Sequence, residues 1–165
     1  MQQMLKAINF ATLAHKGQVR RTTGKPYITH PLKVAELIAG VTHRELVLSV
    51  AILHDVLEDT NTTKEELERL FGSTIADHVE EVSNDTKLIA IIGKEAYHLR
   101  TLPTLSDVAL LVKLADMTDN VQDAMLEKSK ERTRRVLLAL QSEIIQRNSS
   151  PIHTMFGNLK QILEI

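Results

Sequence analysis

His54-Asp55-Val56-Leu57-Glu58-Asp59 closes an apolar stretch in which Leu46, Val47, Val50, Ala51, Leu53, Val56 and Leu57 recur at helical spacing. That periodicity predicts a helix with a core-facing stripe. His54, Asp55, Glu58 and Asp59 interrupt the stripe. On a helix, 54 and 58 lie one turn apart, as do 55 and 58, and 55 and 59. One imidazole and three carboxylates therefore crowd one region. Left uncompensated, close like charges and burial would both raise the carboxyl pKa values. A divalent cation is the simplest compensation, because it accepts neutral imidazole and carboxylate oxygen together.

Working outward, the composition sets bounds. A chain of 165 residues is long enough for one domain with a substantial core. A formal net charge of -1 argues against a general nucleic-acid binder, so an anionic substrate needs a local basic patch. Zero cysteines exclude thiolate zinc sites and disulfides. Met1-Gln2-Gln3-Met4-Leu5-Lys6 lacks the layout of a signal peptide. No apolar run approaches the roughly 20 residues of a membrane helix. The expectation is a soluble cytoplasmic protein with no membrane partner, with homo-oligomerisation left open.

Few Gly, Pro and aromatic residues, with many Leu, Ile, Val and Ala, predict an all-α domain over 1–165. Helix 1 is expected over 1–16, with Leu5, Ile8 and Leu13 in its core face. Residues 17–29 read as a loop broken by Gly17, Gly24 and Pro26. Pro31 opens a second helix that Gly40 ends. Thr42-His43-Arg44-Glu45 reads as a capping box for the helix that carries the cluster. Thr63-Lys64-Glu65-Glu66 is a second capping box, for a helix stopping near Gly72, and Ser73 is a candidate cap for the next, to about Val82. Residues 84–105 are expected to hold one helix that ends at Pro103. Further helices are expected over 106–125, 132–147 and 152–165. Val108-Ala109-Leu110-Leu111-Val112 is apolar all round and so buried.

Asp116 follows Leu110-Leu111-Val112-Lys113-Leu114-Ala115, with Asp119, Asn120 and Asp123 on its helical face. A carboxylate there is seldom left unpaired. A salt bridge or cap is one reading, and metal ligation is the other beside a His-Asp cluster. His30, at a loop-to-helix junction, reads alone as a capping residue. Together His30, His54, Asp55 and Asp116 make a two-histidine, two-carboxylate set suited to Mn²⁺, Fe²⁺ or Zn²⁺. His43, His78, His98 and His153 lack an acidic partner at ligand-like spacing and read as surface or packing residues. His15 lies near a loop, 15–27, that carries Lys16, Arg20, Arg21 and Lys25. That loop reads either as a solvated charge run or as a phosphate- and base-contacting element.

The order His30-Pro31, His54-Asp55, Asp116 resembles the HD-domain metal-dependent phosphohydrolases, an all-helical superfamily. The finer resemblance is to the alarmone hydrolases of the stringent response: the (p)ppGpp 3′-pyrophosphohydrolase domain of RelA/SpoT-type enzymes and the small alarmone hydrolases. Ala14-His15-Lys16-Gly17-Gln18-Val19-Arg20-Arg21 through Gly24-Lys25-Pro26-Tyr27-Ile28-Thr29-His30-Pro31 is similar to the family's opening motif. Leu53-His54-Asp55-Val56-Leu57-Glu58-Asp59-Thr60 is similar to its HDxxEDT motif, and Val112-Lys113-Leu114-Ala115-Asp116 through Asn120 to its KLAD…N motif. The resemblance runs over about 7–123. It implies that His30, His54, Asp55 and Asp116 bind Mn²⁺, that Glu58 and Asp59 serve the attacking water, and that Arg20, Arg21, Lys25, Tyr27 and Asn120 contact a guanosine nucleotide. The reaction it implies is hydrolysis of the 3′-pyrophosphate of (p)ppGpp to GDP or GTP plus pyrophosphate.

The pattern departs from the family at Met117, usually basic, and at Gln122, often Arg. Both remove positive charge near the expected substrate. Two alternatives therefore stand beside the alarmone reading: an HD phosphohydrolase acting on another nucleotide, and a catalytically silent module that uses a metal for stability.

Overall fold

The computed structural model describes residues 2–123 and 127–165. Among them all regular structure is helical, and the one β feature is an isolated antiparallel bridge between Val19 and Pro26. The chain divides into two compact units, Met1–Ser83 and Asn84–Ile165.

In the first unit, α1 (Gln2–Ala14) packs on α3 (Glu45–Leu53). Its buried residues are Ala7 and Ala11, one turn apart, while Leu5 and Leu13 are 55% and 71% exposed and Ile8 is half-buried. The expected core face of helix 1 is thus corrected. The face carrying the small side chains is the one turned to α3, since small residues let two helix axes approach closely. The loop beyond α1 is a short hairpin: Arg20 N–H donates to Lys25 O at 2.8 Å and Tyr27 N–H to Gln18 O at 2.9 Å. Helix α2 (Thr29–Ala39) begins two residues before Pro31, which sits in its first turn, where no amide hydrogen is needed.

α3 packs on α1, α2 and α6 (Ser73–Val82) and is the core of this unit. Val50, Ala51 and Leu53 are fully buried. Burial of each large apolar side chain contributes roughly 1.5–3 kcal/mol. The expected capping box at Thr42 does not form: Arg44 is the N-cap, without a side-chain cap bond. The Glu45 carboxylate accepts from the Gln3 and Met4 amides at the start of α1 instead of reaching back. The expected Thr63 cap does form, accepting from Glu66 N–H at the start of α5 (Lys64–Phe71). Gly72, not Ser73, caps α6.

α3 stops at Leu53. His54 and Asp55 form a turn, and α4 (Val56–Asp59) follows. The expectation of one continuous helix through the cluster is corrected. Helical register nevertheless survives across the turn, because Asp59 N–H donates to Asp55 O at 2.9 Å.

In the second unit the expected single helix over 84–105 is two, α7 (Thr86–Ile92) and α8 (Lys94–Thr101), followed by a 3₁₀ turn at Leu102–Thr104. Gly93, at φ +82°, separates them. α9 (Asp107–Asp123) packs on α10 (Glu127–Gln146) and α11 (Ser150–Leu163) and buries Val112, Leu114, Ala115, Met117 and Val121. Ser106 Oγ accepts from Ala109 N–H at the start of α9. The expected end of this helix at Met125 lies outside the described residues. No described helix is long and apolar enough to cross a membrane.

Candidate functional site

The α3–α4 turn places His54 and Asp55 side by side, and the first turn of α2 brings His30 to them. His54 and His30 are 1% and 4% exposed. Their rings meet edge to face, 5.1 Å between centroids, and offer ring nitrogens within 4.8 Å of each other. Asp55 reaches both: Oδ1 lies 3.1 Å from His54 Nε2, and Oδ2 lies 3.5 Å from His30 Nε2.

The tautomer of His54 follows from its other nitrogen. Nδ1 is 2.8 Å from the Ala51 carbonyl, which can only accept, so Nδ1 carries a proton. In a neutral ring Nε2 is then a lone pair, facing a carboxylate oxygen at 3.1 Å. Two acceptors at that distance repel unless a cation lies between them or the ring takes a second proton. A divalent metal fits. Donors each about 2.1 Å from one cation stand roughly 3.0–3.4 Å apart at angles between 90° and tetrahedral. A backbone carbonyl that orients the far nitrogen is also the usual support for a metal-binding imidazole.

Around this cluster sit the other acids. Glu58 is half-buried and Asp59 exposed, both on α4. Tyr27 directs its hydroxyl at Asp55 Oδ2 and Asp59 Oδ2, 2.7 Å from each. Burial first, and then the Asp55 carboxylate, hold this phenol far above the ordinary tyrosine pKa. The residue expected to contact substrate thus spends its hydroxyl on the acids. Gln18, which sequence reasoning did not single out, donates from Nε2 to Asp59 O at 2.7 Å and meets His15 Nδ1 at 2.8 Å. Its position in the opening motif was the one signal that could have found it. His15 is 3% exposed and its ring lies against Tyr27, 4.8 Å between centroids.

The basic residues of the hairpin divide. Arg20 is buried, whereas Arg21 and Lys25 are exposed. In the second unit, α9 carries Asp116, whose Oδ1 accepts from Asn120 Nδ2 at 2.6 Å, and Lys113 Nζ stands 3.9 Å from Asp116 Oδ2. Of the histidines read as surface or packing residues, His43 and His153 are exposed. His78 is partly exposed and has an acidic partner, Glu81 at 3.2 Å one turn on, which corrects only the expectation that it lacks one. His98 is 5% exposed. Its Nε2 is buried without a hydrogen-bond partner among the described residues.

A family model described as HD domain matches residues 7–145. The chain is 44% identical over 124 residues to the guanosine-3′,5′-bis(diphosphate) 3′-pyrophosphohydrolase MESH1 of Xenopus tropicalis, a match covering 73% of this chain and 68% of the relative. Human MESH1 is 41% identical over 125 residues, covering 73% and 69%. The bifunctional (p)ppGpp synthase/hydrolase SpoT of Escherichia coli is 35% identical over 154 residues, 89% of this chain but 22% of that longer protein. A solved structure described as a metazoan ortholog of SpoT that hydrolyses ppGpp superposes with a TM-score of 0.80, covering 98% of this chain and 95% of the other. At 23% identity that likeness speaks to the fold alone.

Proposed function

The chain belongs to the HD-domain family, in the part of it that holds the MESH1 and SpoT hydrolases, and on that premise we propose that it is a metal-dependent 3′-pyrophosphohydrolase of (p)ppGpp. The observation that carries the metal half of this reading is the His54–Asp55 contact: a ring nitrogen with its lone pair fixed by the Ala51 carbonyl, 3.1 Å from a carboxylate oxygen. His30, His54 and Asp55 would supply three ligands, and Asp116 the fourth on the strength of its KLAD motif. Mn²⁺ is the proposed ion, with Fe²⁺ or Zn²⁺ chemically admissible for the same donors. Bound there, a divalent cation would make water more acidic and neutralise charge on phosphoryl oxygens.

The remaining roles belong to the chain's own groups. Glu58 and Asp59 would accept the proton of the water that attacks the phosphorus attached to the 3′ oxygen. The P–O3′ bond would break, releasing pyrophosphate, and the proton taken from water would pass on to O3′ to give a 3′-hydroxyl. Exposed Arg21 and Lys25 would grip the nucleotide's phosphates or base. Arg20, though buried, stands on the same hairpin, and Asn120 would face the ribose. The whole chain would act as one HD domain in the cytoplasm.

The test is a nucleotide panel with Mn²⁺. Purified protein should convert ppGpp to GDP and pyrophosphate in equal amounts. If ppGpp stays intact while another nucleotide is cleaved, the substrate is wrong and the broader HD phosphohydrolase reading survives. If nothing is cleaved although metal binds, the module is catalytically silent.

A further inference from the structure

Tyr27 stands between two carboxylates with one hydrogen to give. Its oxygen is 2.7 Å from Asp55 Oδ2 and 2.7 Å from Asp59 Oδ2. Asp55 is buried with its other oxygen against His54. Asp59 is exposed, so without a partner its side chain would sample several rotamers in water. The phenol oxygen lies within hydrogen-bonding distance of both acids, and its one hydrogen is shared between them.

The ring is held from several sides. It lies against His15 at 4.8 Å and edge-on to His30 at 5.9 Å. Gln18 ties the same hairpin to the backbone of Asp59, and Tyr27 N–H donates to Gln18 O. Side chain and main chain of Asp59 are thus gripped by two residues of one hairpin.

We propose that Tyr27 is a positioning residue for the hydrolysis: its hydroxyl fixes the Asp59 carboxylate relative to Asp55, and Gln18 and His15 brace it there. The proposal rests on the reading of Asp59 as a proton acceptor. It gives Tyr27 a role different from gripping the nucleotide.

Tyr27→Phe deletes one hydroxyl and keeps the ring. It should leave melting temperature and Mn²⁺ stoichiometry unchanged, lower kcat about 10–100-fold, the usual effect of removing a hydrogen bond that orients such groups, and leave KM within about twofold. Adding Tyr27→Phe to Asp59→Asn should lower kcat little beyond Asp59→Asn alone, because both changes act through one carboxylate. A rise in KM with kcat intact, or effects that simply multiply, would make Tyr27 a substrate contact and overturn the proposal.

A second measurement needs no turnover. The chain has two tyrosines. A slowly exchanging hydroxyl proton in the NMR spectrum, assigned by comparison with Tyr97→Phe, should shift in Asp59→Asn. An unshifted resonance overturns the proposal even if Tyr27→Phe fails to fold. Failure of wild-type protein to cleave ppGpp would sink the substrate assignment while leaving this spectroscopic result to decide the role of Tyr27.

Discussion

Two imidazoles in this molecule are almost equally hidden, and their surroundings are opposite. His54 in the first unit is 1% exposed and His98 in the second 5%. His54 donates to a backbone carbonyl and turns Nε2 to a carboxylate 3.1 Å away. His98 lies among cations. Burial first, then Lys113, Lys94 and Arg132, push its pKa down to about 4, against a smaller upward pull from Asp116. The difference teaches that burial does not mark a ligand. What marks one is a negative neighbour that the ring, when neutral, cannot satisfy. A cation improves the environment of His54 and worsens that of His98.

The sharpest way to break this contrast is metal stoichiometry. His54→Ala should lose most bound Mn²⁺ and lower activity by more than the roughly 10–100-fold expected for a merely supporting hydrogen bond. His98→Ala should keep one Mn²⁺ per chain. Equilibrium dialysis followed by elemental analysis reads both. Equal occupancy in the two variants would show that the acidic neighbour of His54 confers nothing on the ring.

The same contrast explains what could be read in the sequence. His54, Asp55 and His30 were legible because their chemistry demands compensation wherever the chain places them. The helix break between Leu53 and Val56 was not, because the apolar spacing continues through it. Gly72 and Gly93 make an instructive pair. Both take positive φ, +85° and +82°, and both end one helix and begin the next. Gly72 was readable because a capping box upstream fixed the start of its helix. Gly93 follows Ile91-Ile92, and although Asp85 caps the helix before it as Thr63 caps α5, the apolar run up to Gly93 gave no stop signal, so two short helices looked like one. In α1, hydrophobicity pointed to Leu5 and Leu13, but close packing chose Ala7 and Ala11. The brace of Gln18 on Asp59 joins residues 41 apart, a contact no local pattern encodes.

A second prediction asks whether the acids of the first unit do more than hold a cation. Glu58 lies on α4 beyond the His54–Asp55 turn and is half-buried. Glu58→Gln keeps the shape and removes the basic oxygen. It should retain Mn²⁺ and lose about 10²–10⁴-fold in kcat, the usual worth of general-base assistance. If metal is lost in step with activity, Glu58 belongs with the ligands, and the cluster differs from the surroundings of His98 in charge alone.

The smallest effect is thermodynamic and belongs to His98. Its folded-state pKa is about 4 against an ordinary 6.5, so the native protein holds this ring neutral where the unfolded chain protonates it. Between those values the unfolded state binds more protons, and stability falls as pH falls. The contribution is fully present above pH 6.5, is lost progressively towards pH 4, and changes no further below that. A shift of this size corresponds to about 3 kcal/mol at most, of which roughly 2–3 kcal/mol should be gone by pH 4.5. Native carboxylates that gain partners also weaken on acidification, so the wild-type slope alone is ambiguous. His98→Gln removes the titrating ring while leaving those carboxylates in place. Urea unfolding at pH 7 and pH 4.5 should therefore show a smaller loss in His98→Gln, by up to that amount. Equal losses would mean that His98 protonates in the folded state as readily as in the unfolded chain. The cations on α8, α9 and α10 would then not set its charge, and its contrast with His54 would rest on hydrogen bonding alone.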